Sequence, residues 1–261
     1  MANVFVDIQQ VSKKENVIGE CRLCGVAAQL RRSHIIPKFL YREAGIIGDK
    51  KKFDIPCLNF PERSLVNKQD GLKEHLFCDE CETIRLSPLE RYARQRFYGP
   101  GSPLKSVPAN GFFWSGLDYA QMKLFTVSIL WRMSLSSHDL YSKVHLGEKH
   151  ENRMRKMLID KDPMEPWRYG CAIGFLMYGD KPLGGVISQP QRHSVEGIRN
   201  LYRFLMAGFA WFYDVASHRP VKHDKGYLHE SGVWPVPVVQ ALSIPFVKGE
   251  LVRFRQHHKA R

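Results

Sequence analysis

Two Cys-x-x-Cys pairs, Cys21-Arg22-Leu23-Cys24 and Cys78-Asp79-Glu80-Cys81, constrain this chain more than any other feature. One such pair is compatible with a redox dithiol. Two of them point to four soft thiolates gathered around one structural Zn²⁺ ion. Each two-residue spacer holds its sulfurs close at little cost in chain entropy, and Gly25, directly behind the first pair, supports a tight turn. The 53 residues between the pairs exceed a simple ribbon and imply an insertion. The competing reading is two unrelated reduced dithiols.

A thiolate site requires a reducing compartment. Met1 to Glu20 carries Asp7, Lys13, Lys14 and Glu15 and has no apolar run of the signal-peptide kind, so the expected location is cytoplasmic. The apolar run Ile129-Leu130-Trp131 ends at once in Arg132; a membrane span needs about 20 such residues. The chain has 39 Lys and Arg against 26 Asp and Glu, a net charge of +13. That surplus makes a polyanion the default partner class: DNA first, with RNA as the other nucleic acid that fits.

Gly99-Pro100-Gly101-Ser102-Pro103, followed by Pro108 and Gly111, breaks the backbone often enough to read as a linker over 99–112. It separates a cysteine-rich part, 1–98, from a basic part, 113–261, that ends in Arg253, Arg255, Lys259 and Arg261. In the second part, Leu117, Ala120, Leu124, Val127 and Trp131 recur at helical spacing and predict a helix over 117–136 with one buried stripe. A charged helix is expected over 147–159. Strands are expected over 169–178 and 186–188; 202–214 and 233–239 are later apolar segments, and the nearly continuous run 202–214 fits a strand or a helix. The fold class is therefore α+β. Ser87-Pro88-Leu89-Glu90 reads as a capping box opening a helix to Tyr98, with Ser87 as N-cap and Glu90 at N3.

Between and behind the cysteine pairs stand Arg31-Arg32-Ser33-His34-Ile35-Ile36-Pro37 and, directly after Cys81, Glu82. With these residues the stretch 18–98 resembles the HNH, or ββα-metal, endonuclease family, in its branch with four zinc-binding cysteines. The resemblance implies a zinc-stapled, treble-clef-like ββα-metal module followed by a mixed α+β domain. It makes His34 the general base that activates water, and puts Glu82 at the family's metal-ligand position, where Mg²⁺ or Mn²⁺ would be held. Ser33 stands where the family usually has an aspartate, and serine is a poor ligand for a hard cation. The family's middle asparagine has no secure counterpart, since Asn59 and Asn67 both fall in the insertion. Arg31 and Arg32 beside His34, and Arg91 and Arg94 on the helix after Glu82, are the expected phosphate contacts.

What the resemblance implies is a metal-dependent nuclease or nickase cutting DNA phosphodiester bonds, of the kind that serves restriction or phage defence in bacteria. Ser33 supports a different reading, a catalytically inactive zinc protein that binds nucleic acid. A third is a zinc-stapled interaction subunit, with a protein partner on 113–261. His34 also has a bland reading, a hydrogen-bonded histidine ahead of a helix begun by Pro37. Cys57 and Cys171 read as small core residues or lone thiols. Asp70 is an outside candidate for the missing carboxylate, and His218, His223 and His229 are loop histidines.

Overall fold

The first cysteine pair sits in a turn between two strands, β1 (Ile18–Glu20) and β2 (Ala27–His34). β2 leads to a short helix, α1 (Lys38–Arg42), with Pro37 directly before it. Two strands of the insertion follow, β3 (Pro56–Asn59) and β4 (Ser64–Asn67), and then β5 (Lys73–Cys78). This computed structural model describes residues 16–42, 56–59, 64–67, 71–184, 186–195, 199–217, 226–249 and 251–252. The candidates Asp70, His218 and His223 and the tail 253–261 lie outside the described residues.

β1, β2 and β5 form one antiparallel sheet in that order. Only Leu30 and Ser33 of β2 are buried, so this strand packs one face and leaves Arg31 and Arg32 exposed. The chain then turns helical at Asp79 and Glu80, runs through a π-helical turn, Cys81–Leu86, and continues as α2 (Ser87–Tyr98). The helix thus starts eight residues before Ser87. Ser87 is not an N-cap, because its hydroxyl donates to the Glu82 carbonyl (2.8 Å) and its backbone N–H bonds the same oxygen, five residues back. The capping box expected at 87–90 is absent for that reason.

Beyond α2 come β6 (Phe112–Trp114), α3 (Tyr119–Leu135) and α4 (Glu148–Asp160). Asp118 caps α3, its carboxylate accepting from the Gln121 amide at 2.9 Å. Every residue from Met122 to Met133 is buried. α3 is therefore a central helix covered on all sides rather than one with a single apolar stripe. α4 is amphipathic, burying Met154, Met157 and Leu158.

The remaining strands are β7 (Cys171–Tyr178), β8 (Lys181–Pro182), β9 (Ile187–Ser188), β10 (Gln191–Val195), β11 (Arg199–Met206), β12 (Phe209–Ala216), β13 (Trp234–Val236) and β14 (Val238–Gln240). The apolar run 202–214 is a hairpin: Ala207 and Gly208, with φ of 56° and 81°, turn β11 back on β12. The large sheet has the order β10-β11-β12-β7-β14, with β8 beside β7. β14 is parallel to β7, and β9 pairs with β3, joining the insertion to the second half. The chain is mixed α+β, as expected.

The segment 99–112 includes a 3₁₀ turn at Pro103–Lys105. Residues on its two sides share one core, which runs from Cys21 to Val236. Phe97 of α2 stacks on Trp211 of β12, 6.3 Å between ring centres, and Phe77 of β5 stacks on Trp131 of α3 at 5.6 Å. No helix is long and apolar enough to cross a membrane among the described residues.

Candidate metal centre and the groups around it

Cys21, Cys24, Cys78 and Cys81 bring their sulfurs within 4.8 Å of one another, three of the four residues buried. A tetrahedron of zinc–sulfur bonds of about 2.3 Å has edges of about 3.8 Å. The Cys24–Cys78 sulfur separation is 3.8 Å, so the cluster has the size a zinc ion requires and can hold a metal ion such as zinc. Local backbone chemistry builds it. The Gly25 amide donates to the Cys21 carbonyl at 2.8 Å, and Cys21 N–H to the Val26 carbonyl at 2.9 Å. Gly25 has φ +80°, a conformation that costs glycine little. Arg22 N–H to Leu76 O (2.9 Å) ties this knuckle to β5, and the Cys78 amide donates to the Cys21 sulfur at 3.3 Å.

The electrostatics of the cluster favour a cation. Burial pushes the Cys21 thiol up, but the backbone bonds at Cys24, Cys78 and Leu23 outweigh it and bring it down to about 7. Burial raises Cys78, and burial together with the neighbouring sulfurs raises Cys81 far above the usual thiol range. Four thiols at this distance cannot all ionise alone. A dication removes that conflict and deprotonates them together. Helix α4 braces the knuckle from outside: Arg155 Nε donates to the Leu23 carbonyl at 2.6 Å, and Arg85 Nη1 to the Ile159 carbonyl at 3.0 Å.

His34 is the last residue of β2 and is half-buried. Its neighbour Ser33 is fully buried, and the Ser33 hydroxyl donates to Glu82 Oε2 at 2.8 Å. The π-helical turn puts Glu82 there, immediately after Cys81. Burial raises the Glu82 carboxyl above the usual carboxylate range, and Glu90 adds to the rise; Arg132, the Ser33 hydroxyl and Arg31 oppose it.

Arg132 organises this region. It is fully buried, yet it comes from the middle of α3, in the other half of the chain. Its Nη1 donates to the His34 carbonyl (3.1 Å) and to Glu90 Oε1 (2.6 Å). Nε and Nη2 donate to the carbonyl and hydroxyl of Ser128, both at 3.2 Å. Glu90, expected as a helix cap, is instead the partner of this buried guanidinium. Sequence reasoning missed Arg132, Ser128 and the role of Glu90. The available signal was Arg132 itself, a cation interrupting an apolar run, which needs a buried partner to be tolerated.

The structure joins the four cysteines to one another and Ser33 to Glu82. Arg31 and Arg32 stand exposed on β2 on either side of a bulge, with Arg31 3.2 Å from Asp79. Arg91 and Arg94 are exposed farther along α2. Among the described residues, only the four cysteines form a group of three or more metal-ligating side chains. His229 faces Ser231 at 2.9 Å, and Cys171 is buried at the start of β7 in the large sheet. Compared with known proteins, the chain matches no family model, no curated protein and no solved structure.

Proposed function

We propose that the chain is a zinc-stapled HNH-type nuclease acting on nucleic acid, DNA first, with residues 18–98 as its ββα-metal module. The observation that carries this reading is the Ser33–Glu82 contact. The two positions that the HNH resemblance pairs, one before His34 and one after the last cysteine, meet at 2.8 Å between β2 and the helical turn that follows its antiparallel partner β5. In the reaction His34 takes a proton from water near neutral pH, the resulting hydroxide attacks phosphorus, the P–O3′ bond breaks, and the departing 3′ oxygen takes up a proton from solvent. Arg31 and Arg32 hold the phosphate backbone alongside.

The family's catalytic divalent ion fits this site poorly. Of the two carboxylates here, one oxygen of Glu82 already accepts from Ser33, Glu90 accepts from Arg132, and the Arg132 charge bears on Glu82 as well. No three-ligand group forms around it among the described residues. The same bond favours a second reading, in which Ser33 and Glu82 are a structural pair and the module only binds nucleic acid.

The deciding experiment is nicking of supercoiled plasmid, with a labelled RNA hairpin in parallel, by wild type, His34→Ala and Glu82→Gln. Each runs with Mg²⁺, with Mn²⁺ and with neither added. Loss of about 100-fold or more in His34→Ala, with zinc content unchanged, is the expected result. Nicking that survives His34→Ala overturns the mechanism. Salt-steep binding without cleavage in any arm establishes the binding protein instead.

A further inference from the structure

Within residues 33–37, His34 is the one that is not buried. Ser33 before it and Ile35 and Ile36 after it have no exposed surface. The chain is also held at three successive points here. The Ser33 hydroxyl donates to Glu82 at 2.8 Å. The His34 carbonyl accepts from Arg132 Nη1 at 3.1 Å, and the Ile35 amide donates to the Leu72 carbonyl at 3.0 Å. The last two bonds secure both polar atoms of one planar peptide unit, the unit that joins His34 to Ile35. On its other side His34 is still in register with Lys73 of β5. The direction in which its side chain leaves the strand is therefore tightly set.

Two of the three bonds are internal to residues 18–98, and the Arg132 bond alone comes from the other half of the chain. Arg132 is itself oriented for it. Ser128, one turn earlier on α3, takes Nε on its carbonyl and Nη2 on its hydroxyl, both at 3.2 Å. Nη1 is left to reach the His34 carbonyl and Glu90. A fully buried guanidinium is an expensive way to fill a core, since an apolar side chain of similar volume generally holds one as well or better. What an apolar side chain cannot supply is a donor for the His34 carbonyl.

We propose that Arg132 is a positioning residue for His34, fixing through the backbone the direction in which the imidazole is presented to water and phosphate. It has no exposed surface with which to touch a substrate itself. The inference rests on the nuclease reading of His34. It adds that the second half of the chain supplies part of the catalytic geometry.

Plasmid nicking by the zinc-loaded full chain tests it, with kcat and KM separated, under the metal condition in which wild type nicks. The variants are Arg132→Met, Arg132→Lys, the double variant Arg132→Met/Glu90→Gln, and Ser137→Ala. Arg132→Met should lower kcat about tenfold or more and move KM by less than about twofold, because a displaced reacting group costs rate rather than binding. Arg132→Lys keeps the charge and a donor, and should recover part of that loss. The double variant removes the carboxylate charge that Arg132→Met strands, so it should regain stability in denaturant without regaining kcat. It also carries the comparison where Arg132→Met alone does not fold. Ser137→Ala breaks a different tie between the end of α3 and β5, the 3.1 Å bond from the Ser137 hydroxyl to Glu74, and should nick like wild type. Wild-type kcat in Arg132→Met, kcat that returns with stability in the double variant, or an equal loss in Ser137→Ala each overturns the positioning role and leaves the nuclease reading standing. A wild type that does not nick overturns both.

Discussion

Around the cysteines, β1 is three residues long and four sulfur atoms lie within 4.8 Å of one another. Around Trp211, β11 and β12 pair over eight residues and the contacts are stacked rings: Trp211 on Tyr213 at 6.2 Å, Tyr213 on Phe204 at 5.7 Å, and Phe97 covering them from α2. Indole donors are satisfied as they are buried, Trp211 Nε1 on the Met206 carbonyl at 2.9 Å and Trp234 Nε1 on the Cys171 carbonyl at 3.1 Å. One region gathers four thiols that could hold a metal ion such as zinc. The other carries its own stabilisation in apolar area. The same polypeptide should respond to chelation in one place and to cavity formation in the other.

The largest effect is expected from the metal. A structural zinc contributes on the order of 10 kcal/mol to the fold it organises. Cys81→Ala, or chelation, should abolish amide-exchange protection over 18–34 and 73–86 while β11 and β12 stay protected. Loss of both together would show that the shared core makes the two regions one cooperative unit. Next, Trp211→Ala should cost about 3–5 kcal/mol in denaturant unfolding, with one zinc per chain retained. A loss of zinc there would break the division of labour from the other side.

A subtler test uses pH. In the folded chain Lys123 titrates near 7, against an ordinary value of 10.5, because burial disfavours its charge. The unfolded chain then binds more protons than the folded one between those values. Stability from this residue rises with pH across that window and is lost as pH falls through 7. Denaturant midpoints of Lys123→Met should accordingly be flatter than wild type over about pH 7 to 10. The smallest effect belongs to the exposed Arg31–Asp79 pair: Arg31→Gln should shift stability by less than about 1 kcal/mol, while weakening DNA binding if Arg31 holds phosphate.

The parts of this structure that could be read in advance are those governed by short-range chemistry. Two-residue cysteine spacings, the helical period of 117–136 and the charged helix near 147–159 all correspond to elements with the expected bounds to within a few residues. The hairpin inside 202–214 was ambiguous because Ala207-Gly208 is a weak turn signal between two apolar strands. Ser87 misled because a capping pattern describes a helix entered from loop, and here a π-helical turn already supplies the preceding backbone. Arg132 and Lys123 misled for a different reason. A charge on a helix is ordinarily assigned to its solvent face, and α3 has none over 122–133, so both cations had to turn inward. Among their partners, Glu90 and the carbonyls of 166 and 169 lie 42 to 46 positions away in sequence, and the His34 carbonyl 98.

Arg132 carries a consequence for how such a chain can be divided or recombined. A fragment ending in the 99–112 segment would keep all four cysteines, His34, Glu82 and Glu90. It would lose the guanidinium that faces the His34 carbonyl and both carboxylates, and Glu82 and Glu90 already repel each other with it present. Exchange of the second half between relatives would therefore succeed only where the donor half brings an arginine to that helix position. Residues 113–261 would then be inherited with the cysteine module as a matched pair, whatever ligand each part serves.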